Sequence, residues 1–200
     1  MTGHGFPLVR IGAAVTLNDA EQRLAAYLAQ QRHKACRDSD APNGRRNPAG
    51  DEVTDLAGIA AEIAFGRLHN TYPDLVIGTR PEDDAQLPGG WRVDVKVTAY
   101  RTGRLLVLPN KETDMRIDLF ALMVGAFPGP FEFRGSMHRA EIIVSERITD
   151  LGHGATYAAE QHELSDFATL WARYSLNRGL AHVVTRAHVA DALIGQETRA

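Results

Sequence analysis

Residues 118–125, DLFALMVG, constrain the fold more than any other stretch of the chain. Apolar side chains stand here at consecutive positions, and a β-strand sends consecutive side chains to opposite faces of its sheet. Such a strand needs cover on both faces, as at the centre of a sheet with a layer above and a layer below. The chain has the means: 200 residues, 44% of them hydrophobic, bury a full core in one domain. The expected class is α/β, a central mixed β-sheet flanked by helices.

The flanking sequence supplies the layers. Asn18 is placed to cap a helix across DAEQRLAAYLAQQRHKACR, where Ala20, Leu24, Tyr27, Leu28 and Gln31 follow helical spacing. DSDAPNGRRNPAG (38–50) collects turn-forming residues and reads as a loop, its Arg45 and Arg46 either touching phosphate or simply solvated. A second helix is expected over about 51–69, with Val53, Leu56, Ile59, Ala60 and Ile63 as its apolar stripe. Glu62 lies at the edge of that stripe, where a carboxylate snorkels to water unless something holds it. Strands are expected at 74–78, 91–98, 104–108, 118–125 and 131–138, with PGG (88–90) turning a hairpin into WRVDVKVT. A short helix follows at about 139–148. Ser165 is placed to open a helix carrying Phe167, Leu170, Trp171 and Tyr174, ended by Arg178 and Gly179, and Thr185 opens a last one. The Trp and Tyr stripe reads as core rather than as a base-stacking platform. The expected organisation is an N-terminal helix and loop extension (1–50), an α/β core (51–160) and a C-terminal helical extension packed on it (161–200), a single domain overall.

Several function classes drop out. No run approaches the roughly 20 apolar residues of a membrane span, and MTGHGFPLVR lacks the apolar stretch of a secretory signal. The expectation is a soluble, cytoplasmic protein with no membrane partner. Cys36 is the single cysteine, which excludes an internal disulfide and a cysteine-ligated zinc or iron–sulfur site within one chain. The eight histidines show neither HxxxH nor HExxH spacing, and GxSxG and GxxxxGK are absent. A net charge of −3 argues against a uniformly basic coat but leaves room for a local basic channel.

The remaining chemistry gathers around WRVDVKVT. Val93, Val95 and Val97 share one strand face and Asp94, Lys96 and Thr98 the other. An acid two residues before a lysine is either an ion pair in water or part of a metal site. Lysine is rare in this chain, only Lys34, Lys96 and Lys111 among 22 basic residues, so its use at 96 favours a chemical role for an ammonium whose pKa can move. The acids come in order: Glu62 on a helix, Glu82, Asp83 and Asp84 on the first hairpin arm, then Asp94 and Lys96 on the second.

In GIAAE (58–62), PEDD (81–84) and DVK (94–96) the chain resembles the PD-(D/E)XK nuclease superfamily, in particular its compact phage and bacterial members, over about residues 52–138. The resemblance implies a restriction-endonuclease-like core and a metal-dependent nuclease hydrolysing DNA phosphodiester bonds. Glu82 and Asp83 interrupt the family's proline–aspartate pair. Asp84 is taken as the hairpin acid because it lies nearest Asp94, with Asp83 the alternative. The implied ligands of Mg²⁺, or of Mn²⁺ as substitute, are Glu62, Asp84, Asp94 and the backbone carbonyl of Val95. Such a set suits Mg²⁺, which prefers one or two carboxylates and keeps water and phosphate oxygens in its shell. Lys96 would orient the attacking water. Arg92, Tyr100, Arg101 and Arg104 are expected to contact DNA phosphates, or else to form a solvated turn. Paired cuts across a duplex would need a homodimer or a larger assembly. The alternative is a non-catalytic nucleic-acid-binding or assembly protein on the same scaffold, in which Asp94 and Lys96 form a surface ion bridge of little worth.

Overall fold

The computed structural model describes residues 9–38, 51–77, 83–111, 116–152 and 154–174. The loop with Arg45 and Arg46, Glu82, the helix end at Arg178 and Gly179, and the expected final helix from Thr185 lie outside them. The chain divides into two units, Met1–Asp166 and Phe167–Ala200. In the second, the described residues form a helix over 167–174, with the rings of Phe167 and Trp171 5.9 Å apart.

The elements of the first unit are β1 (Ala14–Val15), α1 (Asp19–Asp38), α2 (Asp51–His69), β2 (Ala85–Leu87), β3 (Trp91–Thr98), β4 (Leu105–Val107), β5 (Leu119–Val124), β6 (Phe131–His138), α3 (Arg139–Ile142), β7 (Ile148–Asp150) and β8 (Ala155–Ala159). Asn18 caps α1 as its position suggests. Its Oδ1 accepts from the N–H groups of Ala20 and Glu21 at 2.9 and 3.0 Å, and Glu21 accepts from the Asn18 N–H at 2.7 Å. This reciprocal capping box satisfies helix-end donors that would otherwise be orphaned.

A five-stranded sheet runs in the order β1-β6-β5-β3-β2, with β3 and β5 parallel and every other pair antiparallel. The class is mixed α/β. All six residues of β5 are buried, as the doubly apolar sequence requires. Register fixes which side chains share a face. Asp94, Lys96 and Thr98 stand opposite Phe120, Leu122 and Val124, while Val93, Val95 and Val97 stand opposite Leu119, Ala121 and Met123. The first face meets the second sheet, β4-β8-β7, where Phe120, Leu122 and Val124 join Leu105, Val107, Tyr157, Ala159 and Ile142 in one core. The other face meets α2: Phe133, opposite Met123, takes Phe65 edge-on at 6.0 Å. One cover is therefore largely a small sheet rather than a helix, a difference from the expected arrangement.

Three expectations need correction. Residues 74–77 form no strand, because Arg32 of α1 donates to the carbonyls of Asp74 (3.0 Å) and Val76 (3.2 Å), so these groups are satisfied without a neighbouring strand. The expected helix at 139–148 stops at Ile142; after a 3₁₀ turn at Ser145–Arg147 the chain enters β7. The first hairpin arm starts at Ala85, so Asp83 and Asp84 precede the strand. In β6 a bulge pairs Leu122 with Gly135 but Met123 with Phe133, and Gly135 takes φ +114°, a conformation L side chains rarely adopt.

His69 ends α2, where the helix dipole favours a cation by about 0.3–1 kcal/mol. Burial wins: the ring is 3% exposed between Phe65 (4.1 Å, stacked) and Phe133 (5.0 Å, edge-on), and desolvation lowers its pKa to about 4. No helix among the described residues is long and apolar enough to cross a membrane.

Candidate functional site

The strand β2 pairs with β3 only as far as Val93. Asp84 occupies the edge just beyond: its N–H donates to the Val93 carbonyl at 2.9 Å and its Oδ2 accepts from the Val95 N–H at 2.7 Å. The carboxylate thus stands where a longer strand would have supplied a ladder partner. Asp83 turns elsewhere and pairs with Arg92 at 2.6 Å. Of the two hairpin acids, Asp84 belongs to the cluster described next.

Asp94 is 4% exposed, so its pairing with Lys96 is not a surface bridge. Strand alternation sets Lys96 beside it on the same face. A second ammonium, Lys111, sits on the 3₁₀ turn Pro109–Lys111 after β4, and its Nζ lies 3.1 Å from Asp94 Oδ2. That oxygen accepts no hydrogen bond of good geometry despite the proximity. Two of the chain's three lysines meet one buried carboxylate.

Glu62 reaches the same edge from α2. Its Oε2 lies 3.1 Å from Arg32 Nη1, and Arg32 also pairs with the Asp74 carboxylate. Burial raises the Glu62 pKa; Arg32 opposes this, and the charges of Asp74 and Asp94 add to the rise. Burial likewise pushes Asp84 well above the usual carboxylate range, assisted by Glu62 and Asp94 and opposed by the Val95 hydrogen bond and Lys96. Four carboxylates (Glu62, Asp74, Asp84, Asp94) thus share one neighbourhood with three cations (Arg32, Lys96, Lys111). Desolvation by burial is the main cause that drives Glu62 and Asp84 toward protonation, and the neighbouring negative charges add to it.

Glu62, Asp84, Asp94 and Lys96 therefore lie within electrostatic reach of one another. Among the described residues no three His, Cys, Asp or Glu side chains form a ready metal-binding group. The expected phosphate contacts divide. Arg92 and Arg104 are paired with Asp83 and Glu160, both at 2.6 Å. Tyr100 and Arg101 stand exposed in the turn after β3. Arg32, Asp74 and Lys111 belong to the cluster and were not foreseen in these roles; for Lys111 the scarcity of lysine was the available signal.

The donor chemistry suits a hard divalent cation. All donors are oxygens, one buried carboxylate oxygen lacks a hydrogen bond, and a positive charge would oppose both the burial and the lesser like-charge repulsion that raise Glu62 and Asp84. Fold and site define a mixed α/β protein carrying an acid–lysine cluster beside the point where β2 ends and Asp84 takes over the pairing with β3. The chain belongs to a family of unknown function, DUF5843, whose model matches residues 7–177. No curated protein matches it.

Proposed function

We propose that the chain is a metal-dependent nuclease of PD-(D/E)XK type, with a restriction-endonuclease-like core and DNA as substrate. The carrying observation is Asp94, a 4%-exposed carboxylate between two lysines with one oxygen accepting no hydrogen bond, beside two carboxylates whose pKa values are raised. A carboxylate kept only for stability has no need of crowded like charges, which are costly when desolvated.

Asp94 and Asp84 would hold Mg²⁺, with Glu62 joining directly or through water and the Val95 carbonyl as a further oxygen. When bound, Mg²⁺ polarises a phosphoryl oxygen and lowers the pKa of water. Lys96, adjacent to Asp94, orients the attacking water and faces charge developing on the phosphate. Arg32 holds Glu62 in place, and the Val95 N–H holds Asp84. Tyr100 and Arg101 offer exposed backbone contacts beside β3.

The test is plasmid degradation with Mg²⁺ or Mn²⁺. Wild type should cleave, and Lys96→Ala and Asp94→Asn should each lose at least about 100-fold, the scale of removing a group that acts on the transition state. Equal metal-stimulated cleavage by all three proteins would refute the assignment. A binding module on the same scaffold is favoured by the ion pairs already made by Glu62 and Asp94. It predicts DNA binding with no metal-stimulated cleavage.

A further inference from the structure

We infer that Lys111 is a second substrate-facing cation of this site, contacting a backbone phosphate of the bound nucleic acid. The inference rests on the reading above that the substrate is a phosphodiester, and adds a residue which neither the DVK motif nor the hairpin supplies.

Three observations carry it. The first is charge. Lys96 and Lys111 approach opposite oxygens of Asp94, so two ammonium groups flank one carboxylate. The second is layering: the side chains of both lysines are 32% exposed while that of Asp94 is 6% exposed. The ammonium groups form the outer layer and the acid the inner one, which presents cations to an arriving anion.

The third is the rigidity of the turn. The Lys111 N–H donates to the Leu108 carbonyl at 3.0 Å, and the Lys111 carbonyl accepts from Arg139 Nη1 at 2.8 Å. The Arg139 N–H donates to the Asp118 carbonyl, and the Asp118 N–H to the Arg92 carbonyl, at 2.8 and 2.9 Å. A chain of hydrogen bonds thus ties the base of Lys111 to the strand that bears Asp94. These bonds fix the backbone at Lys111, and its ammonium, already against Asp94, gives up less freedom on meeting phosphate than a lysine on a mobile loop would. In a chain with 19 arginines, a structural counter-ion alone could have been an arginine; a compact ammonium suits a crowded site that also admits a phosphate.

The experiment is fluorescence anisotropy of a labelled DNA duplex in EDTA across a salt series, read as the slope of log K against log salt. Each phosphate contact contributes about 0.9 to that slope on B-DNA. Lys111→Gln should weaken binding several-fold and lower the slope by about 0.9, and Lys111→Arg should keep it. Should Lys111→Gln fail to fold, Asp94→Asn/Lys111→Gln removes the lysine without stranding a buried charge and is compared with Asp94→Asn. An unchanged slope in either comparison overturns the inference and leaves Lys111 a counter-ion of Asp94. Wild type that binds with the lysine-dependent slope yet shows no Mg²⁺-stimulated cleavage would refute the nuclease and leave the Lys111 contact standing. Wild type that binds no DNA overturns both.

Discussion

Replacing Arg32 by methionine removes a guanidinium while keeping most of its stem. In the native chain Arg32 is 18% exposed and its two acidic partners, Glu62 and Asp74, 13% and 12%. It also donates to the carbonyls of Asp74 and Val76. An exposed ion pair contributes about 0–1 kcal/mol. These groups are mostly out of water, so the relevant magnitude is that of stranding buried charge, about 3–5 kcal/mol. The penalty depends on pH. Burial already raises Glu62 above its ordinary 4.5, and losing Arg32 raises it further. A carboxyl whose folded pKa exceeds its unfolded one favours the folded state when protonated; that stability is full below pH 4.5 and is lost as pH climbs through the folded value. Urea denaturation followed by the fluorescence of buried Trp91 should give Arg32→Met a loss of about 3–5 kcal/mol at pH 8 and a smaller one at pH 5. A loss below about 1 kcal/mol at both values would place Arg32 among ordinary surface pairs and refute the clamp.

His69 should give the acid limb of stability a marked slope. Its folded pKa of about 4 lies below the ordinary 6.5, so the stability it confers is present above 6.5 and falls as pH drops toward 4, by about 3 kcal/mol in all; His69→Phe should flatten that limb in denaturant titrations, and an unaltered limb would count against the buried neutral ring. Gly135→Ala should cost about 1–3 kcal/mol or more, since φ is +114° and an added Cβ would stand 2.7 Å from Leu164 Cβ. A thermal midpoint unchanged from wild type would mean the bulge relaxes freely.

Where the sequence states its requirements locally, the fold was readable. Residues 119–124 carry apolar groups on both faces and become the parallel neighbour of β3; Asn18 announces the cap of α1; PGG turns the hairpin. Asp94 and Lys96 were legible for the same reason, being two apart on one strand. Residues 74–77 have strand composition, yet the carbonyls of Asp74 and Val76 are taken by Arg32 from a distant helix, and no local pattern encodes that partner. Of the second sheet only β4 is legible in the sequence, because ATYAA is alanine-rich and ITD is three residues long, both weak β signals. Burial of Asp94 follows from its register against Phe120 and the sheet packed above it, which alternation alone does not reveal.

Calorimetric titration of Mn²⁺ into the metal-free protein at pH 6, in two buffers of different ionisation enthalpy, tests the gathering of acids around Asp94 most directly. One ion should bind per chain with release of protons, because Asp84 and Glu62 are held above the usual carboxylate range, and Asp94→Asn should lose at least about tenfold in affinity. Absence of binding heat in wild type, or equal affinity in Asp94→Asn, would contradict the account.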